Sequence, residues 1–379
     1  MHRAIALSLL TFLSGCAASI PPPRGTVLSF PSGEVLPPPQ FQTRLSSSQV
    51  ILVGETHNHQ DHHSLQLEIL KQIQAPPGKL VVGIEWLDHT NQPLCDELSQ
   101  GLLEVNRFAE LVNWKQKWGF PLEMYAPIFE EIKNRRLKLV ALNAPAAVIR
   151  KIARQGIDAL TAQERAQLAP AMAVDDPAYQ QRLASQYQAH GFKDPSKERS
   201  FFLAQVARDE TMAYYLAKAL SPWPDSGKKA VVFTGSGHLA HGLGLPPRVA
   251  RRLPGVKMLS IIPVPPQAAR LMTEMEPETK PADLVIVSKP APPRPPRLGV
   301  FLKPTPEGLK VLRVMPGTPA AKAGIRPNDF LLRINGKTLK KVKDIHDSIN
   351  KEPFEPHDYV IKRGEEELRL RIALPRASQ

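Results

Sequence analysis

Five short apolar runs punctuate the first three quarters of the chain. They are Val50-Ile51-Leu52-Val53, Leu80-Val81-Val82-Gly83-Ile84, Leu137-Lys138-Leu139-Val140-Ala141-Leu142, Ala230-Val231-Val232-Phe233 and Met258-Leu259-Ser260-Ile261-Ile262. Near-continuous apolar runs of this length suit strands covered on both faces, as in a parallel sheet. Helical spacing lies between them. Leu65, Ile69 and Ile73 recur every four residues, and Phe202, Val206, Ala213, Leu216 and Leu220 mark one face of a helix near 199–220. Residues 155–198 have helical composition and no strand run. The pattern predicts an α/β fold: a layered, mainly parallel sheet with helices on both faces and a helical insertion, followed by a small β-rich domain.

Proline divides the chain. The 39 prolines cluster at 21–39 and again at 290–296, and such runs favour extended polyproline II over packed elements. The first cluster predicts a stiff tether over 16–39 and the second a linker over 289–297, leaving domains at 40–288 and 298–376. Ahead of the tether, His2 and Arg3 precede an apolar stretch too short to span a bilayer but suited to a signal-peptide core over 1–15. It ends in Leu13-Ser14-Gly15-Cys16, which looks like a bacterial lipobox. The expectation is cleavage before Cys16, lipid on that cysteine and a place in the bacterial cell envelope at the outer membrane. Cys95 then has no partner within the chain, so stability must come from a core. The formal charge of +13 suits an anionic membrane surface, and no motif of a nucleic-acid binder accompanies it, so no nucleic-acid partner is expected.

The last 80 or so residues carry Val311-Leu312-Arg313-Val314, then Pro316-Gly317-Thr318-Pro319-Ala320-Ala321-Lys322-Ala323-Gly324-Ile325, Asn328-Asp329 and Ile334-Asn335-Gly336. This run resembles a bacterial PDZ domain. Asn335-Gly336 is a hairpin turn signal, and Pro319 starts a short helix that closes at Gly324. Asn328 departs from the usual glycine before the aspartate. The resemblance implies that Leu298, Gly299, Val300 and Phe301 form the loop that takes the C-terminus of a peptide or protein partner, which adds as a strand.

Candidate chemistry gathers where the predicted strands end. The first run closes in Gly54-Glu55-Thr56-His57, the second in Gly83-Ile84-Glu85 and the fourth in Gly235-Ser236-Gly237-His238. Parallel strands bring their carboxyl ends to one edge, where ligands bind. Glu55, His57, Glu85 and His238 are therefore candidates for catalysis or for a divalent zinc, manganese or iron ion. His62 and His63 are adjacent, so on a helix only one is expected to face a cleft; His59 is expected at the surface. Gln205 and Asp209 fall on one stripe of the 199–220 helix and are candidates to line that cleft.

These ordered motifs, with Asp61-His62-His63, Gln66, Asn143-Ala144-Pro145 and Gly244-Leu245-Pro246-Pro247-Arg248, resemble the ChaN-like, haem-binding-uptake domain of the Tiki and erythromycin-esterase superfamily over about residues 45–288. The resemblance implies haem handling in iron acquisition and is compatible with a homodimer. Haem needs an axial ligand; the family precedent suggests tyrosine, and Tyr179 and Tyr187 in the helical insertion are the candidates. Other branches of the superfamily imply a metal-dependent hydrolase built on the two Gly-x-x-His units and a glutamate. The PDZ resemblance also allows a non-catalytic adaptor.

Overall fold

The structure is a computed structural model describing residues 21–189, 194–273, 280–290, 297–352 and 355–374. The expected signal peptide, the expected lipidation site Cys16 and most of the predicted linker lie outside the described residues. The chain divides into two compact units at residue 290.

The first unit opens with β1 (Val27–Ser29), β2 (Glu34–Val35) and α1 (Pro38–Ser47), followed by β3 (Val50–Glu55), α2 (Gln60–Gln72) and β4 (Leu80–Asp88). A helical stretch holds α3 (Gln92–Ser99), α4 (Val105–Leu111), α5 (Trp114–Lys117) and α6 (Ala126–Asn134) before β5 (Lys138–Asn143). Next come α7 (Ala146–Gln155), α8 (Ala162–Arg165), α9 (Pro177–Ala189) and the long α10 (Pro195–Leu220). The unit closes with β6 (Lys229–Gly235), α11 (Leu245–Arg252), β7 (Met258–Val264), α12 (Pro266–Thr273) and β8 (Leu284–Val287).

All five apolar runs are strands. They form an eight-stranded sheet ordered β2-β1-β8-β7-β3-β6-β4-β5, parallel from β8 through to β5. Alternation along each strand feeds two cores. Ile51, Val53, Val82, Ile84, Val231 and Phe233 face one layer with α2, α3 and α6. Val50, Leu52, Val81, Ala230 and Val232 face the other, with Leu216 of α10 and Val249 of α11.

The tether expectation is corrected over 21–39. Val27 and Leu28 are buried, and β1 pairs antiparallel with β8. Arg24 reaches Asp61 of α2 at 2.8 Å and Glu68 at 2.7 Å. The prolines there serve turns and the first turn of α1, where a missing N–H costs nothing.

The second unit is a small antiparallel sheet of β9 (Val300–Thr305), β10 (Gly308–Val314), β11 (Phe330–Ile334), β12 (Lys337–Thr338), β13 (His357–Arg363) and β14 (Glu366–Ile372), with α13 (Pro319–Lys322) and α14 (Val342–Lys351). Its core includes Leu309, Val311, Leu331, Ile345 and Tyr359. Asn328 sits at φ +73°, the left-handed backbone that glycine ordinarily supplies. Asn335 and Gly336, at φ +47° and +78°, make the tight turn from β11 to β12.

Candidate functional site

The strand tips carry two hydrogen-bonded networks, one on each face of the sheet. Period-two alternation decides which side chain goes where. Glu55 follows Val53 and Ile51 onto the α2 face, whereas Glu85 is out of phase with Ile84 and Trp86 and turns to the α10 face. Both carboxylates are buried, so each must find partners.

On the α2 face, Glu55 accepts from His57 Nδ1 at 2.7 Å, from Gln66 Nε2 at 2.9 Å and from Trp86 Nε1 at 3.2 Å. His63 stands 3.4 Å away and donates from Nε2 to the His57 carbonyl at 3.1 Å. Tyr125, fully buried, donates its hydroxyl to that same carbonyl at 2.8 Å. Burial alone would raise the Glu55 carboxyl, but the bonds from His57 and His63 hold it below the ordinary carboxylate range.

On the α10 face, Glu85 accepts from the Thr234 hydroxyl at 2.7 Å and the Gly235 amide at 2.6 Å, with His238 Nε2 at 3.3 Å and Arg208 at 3.8 Å. His238 donates from Nδ1 to Asp209 at 2.6 Å, and Tyr179 donates its hydroxyl to the other Asp209 oxygen at 2.7 Å. Burial pushes His238 down, but Glu85 and Asp209 outweigh it and raise the ring to about 10, so it is an imidazolium at neutral pH. Burial would raise Glu85, yet His238, His57 and Arg208 hold it well below its usual value.

The two networks meet at Gly235. A Cβ there would lie 2.9 Å from Cε1 of His57, so any larger residue would push that ring from its place over the tip of β6. Gly54 serves likewise, since a Cβ would stand 2.6 Å from the Ser236 hydroxyl. Trp118 and Phe120 wall the His57 ring, with centroids at 4.7 and 5.4 Å.

Thus Glu55, His57, Glu85, His238, Asp209 and His63 converge. Gln205 stays half-buried one turn before Asp209 and joins neither network. Both His62 and His63 are buried, but of the two only His63 joins the Glu55 network. His62 accepts from the Thr56 amide at 2.9 Å and meets Ser288 at 3.3 Å, away from the carboxylates. The surface expectation for His59 is corrected: it is buried, stacked on His62 at 3.8 Å. Tyr179 is a buried positioning residue whose hydroxyl belongs to Asp209, and Tyr187 lies in α9 against Phe201. Trp86, Trp118, Phe120 and Arg208 had no signal of their own, because none belongs to a glycine motif that ends a predicted strand.

Among the described residues no group of three His, Cys, Asp or Glu side chains is placed to hold a metal ion. The carboxylate oxygens of Glu55 and Glu85 already accept from protein donors. His57 differs: its Nδ1 is held by Glu55, its side chain is 33% exposed, and among the described residues no hydrogen bond takes its Nε2. In the second unit, Gly299 sits at φ +87° and its carbonyl accepts from the Met315 amide, while Leu298 is buried and Phe301 exposed.

Residues 41–249 match the family described as haem-binding uptake, Tiki superfamily, ChaN. The match covers more than half of the chain, which therefore belongs to this family; residues 310–355 match the PDZ domain. Among solved structures, that of cofacial heme binding to ChaN of Campylobacter jejuni is similar at 17% identity and a TM-score of 0.54, covering 70% of this chain and 98% of that one. This likeness concerns the fold. Protein RETICULATA-RELATED 5, chloroplastic, of Arabidopsis thaliana is 23% identical over 248 residues, 58% of this chain and 31% of that protein. Serine protease HTRA1 of Xenopus tropicalis is 35% identical over 65 residues, 17% of this chain and 14% of that protein. The chain spans less than a third of the length of these two curated relatives.

Proposed function

We propose that this chain is a haem-binding protein of the bacterial cell envelope, lipid-anchored at Cys16, that serves iron acquisition and holds a partner's C-terminus through its PDZ domain. Family membership supports haem, and the ChaN relative of Campylobacter jejuni is described as binding heme cofacially. The observation that carries the reading to a residue is the Glu55–His57 couple. An axial imidazole is held by a carboxylate on its other nitrogen, which orients the ring and raises its basicity. His57 fits this: Nδ1 bound to Glu55, Nε2 open and an aromatic wall of Trp118 and Phe120 suited to a flat apolar ring. Arg208, 29% exposed in its side chain with a buried, unpartnered Nε, supplies a cation for an anionic substituent.

Hemin titration of the purified protein tests this. A saturable Soret shift is expected, lost in His57→Ala and kept in Tyr179→Phe and Tyr187→Phe. An unchanged Soret band in His57→Ala removes His57 as ligand; loss in Tyr187→Phe transfers the role to that tyrosine.

The Glu55–His57 couple also admits a second reading, hydrolysis with His57 as general base; there His57 would accept a proton and Glu55 would steady the imidazolium that forms. Metal analysis checks the metal-dependent form: stoichiometric zinc, manganese or iron lost in His57→Ala and His238→Ala would restore it.

A further inference from the structure

We propose that the PDZ domain selects partners with an acidic residue fourth from the C-terminus, read by Lys303 and Lys310. The inference rests on the reading of this unit as a binder of peptide C-termini.

β9 ends the sheet order of the second unit, so among the described residues its outer edge has no strand partner. Val300 and Leu302 point inward, against the layer that holds Ile345 and Ile349 of α14. Phe301 and Lys303, out of phase with them, stand on the opposite face. Lys303 lies directly opposite Lys310 of β10 in the antiparallel register. Like charges directly opposite across two strands repel, and a sheet ordinarily relieves them with a carboxylate.

None is supplied here. Neither Lys303 nor Lys310 has an ion pair among the described residues. Glu307, in the turn joining the two strands, pairs with neither. Further along the row, Lys310 rests its ammonium 5.8 Å from the centroid of the Phe330 ring. Lys362, the next lysine in the row, has Glu365 at 3.8 Å and Glu367 opposite it. Within this row the uncompensated charge therefore lies on β9 and its neighbour β10.

A strand joining that edge fixes which of its residues meets the charge. A peptide running antiparallel to β9 with its carboxylate at the Gly299 turn alternates its side chains between the two faces. The last and third-from-last fall on the side of Val300 and Leu302. The penultimate falls beside Phe301, over which Arg313 stacks at 4.3 Å. The fourth from the end falls beside Lys303, within reach of Lys310.

The test uses the whole purified protein and fluorescein-labelled decapeptides with a free carboxylate and mixed apolar residues at the last position. They differ only at the fourth residue from the end: Glu, Gln or Lys. Two rim lysines predict a preference for Glu over Gln of about threefold to tenfold at low salt, larger against Lys and reduced at 0.5 M salt. Lys303→Gln with Lys310→Gln, both outside the core, should erase the preference while Gln-peptide affinity holds. Equal affinities for Glu and Lys peptides, or a preference that survives the double substitution, overturn the proposal. If free-carboxylate peptides bind no better than amidated ones, the peptide-terminus reading itself fails, and the proposal with it.

Discussion

The charge on His238 makes the fold's stability depend on pH in a calculable way. Its folded pKa of about 10, against an ordinary 6.5, corresponds to about 5 kcal/mol in favour of the charged ring, the net of burial, which opposes the charge, and of Glu85 and Asp209, which outweigh burial. Because the folded value is the higher one, this contribution is complete below pH 6.5 and is lost as pH rises through 10. At most one proton is involved, so the slope is bounded near 1.4 kcal/mol per pH unit, and between pH 7 and 9 the loss attributable to His238 is about 2 to 3 kcal/mol. The window ends at 9 because burial pushes the Cys95 thiol up to about 12, so that ionisation of this thiol in the unfolded chain penalises folding above pH 9. Urea denaturation of the haem-free protein from pH 6 to 9 measures it. All four tryptophans, Trp86, Trp114, Trp118 and Trp223, lie in the first unit, so their fluorescence reports that unit alone. Asp209→Asn keeps an acceptor for the Tyr179 hydroxyl but removes one of the two charges. The variant should be less stable at pH 7, and its alkaline loss should shrink by about 1 kcal/mol or more. If it loses as much stability between pH 7 and 9 as the parent does, the carboxylates are not what holds the proton on His238.

On the acid side His62 acts with the opposite sign. Burial first, then the charges of His59 and His63, push it down to about 3. Its contribution is present above pH 6.5 and falls away toward pH 3, about 2 kcal/mol by pH 5; His62→Gln should flatten that limb when the denaturation profile is extended from pH 6 down to pH 5. Gly235→Ala places a Cβ 3.2 Å from His57 Nε2 and 2.9 Å from Cε1, so hemin titration should show affinity falling about tenfold or more. Leu28→Ala in β1 empties a site only 3% exposed and should cost about 2 to 4 kcal/mol by urea denaturation, whereas a free tether would show no change.

The sequence by itself determined five of the eight strands of the first sheet and the edge on which chemistry collects. Buried parallel strands are apolar throughout, and their shared direction brings Gly54-Glu55-Thr56-His57, Glu85 and Gly235-Ser236-Gly237-His238 to one rim whatever the loops do. The PDZ unit was legible for a related reason: its turns need particular residues, and Asn328, Asn335 and Gly336 sit at the positive φ values their types allow. The tether failed because proline composition says what cannot be an inner strand and not what can pair at a sheet's margin, and β1 finds β8 more than 250 residues later. His59 was placed at the surface because a polar loop carries no sign of what packs on it, and His62 does. The deeper division lies at the strand tips. Phase along a strand put Glu55 and Glu85 on opposite faces. Only tertiary packing then decided that α2 would spend His63 and Gln66 on the first, that α10 would set Asp209 behind His238 on the second, and that Tyr125 and Trp118 would come from a helical stretch to enclose His57. A buried charge must be neutralised by whatever the fold brings within about 3 Å of it, and that proximity is a property of the packed chain and not of any local pattern.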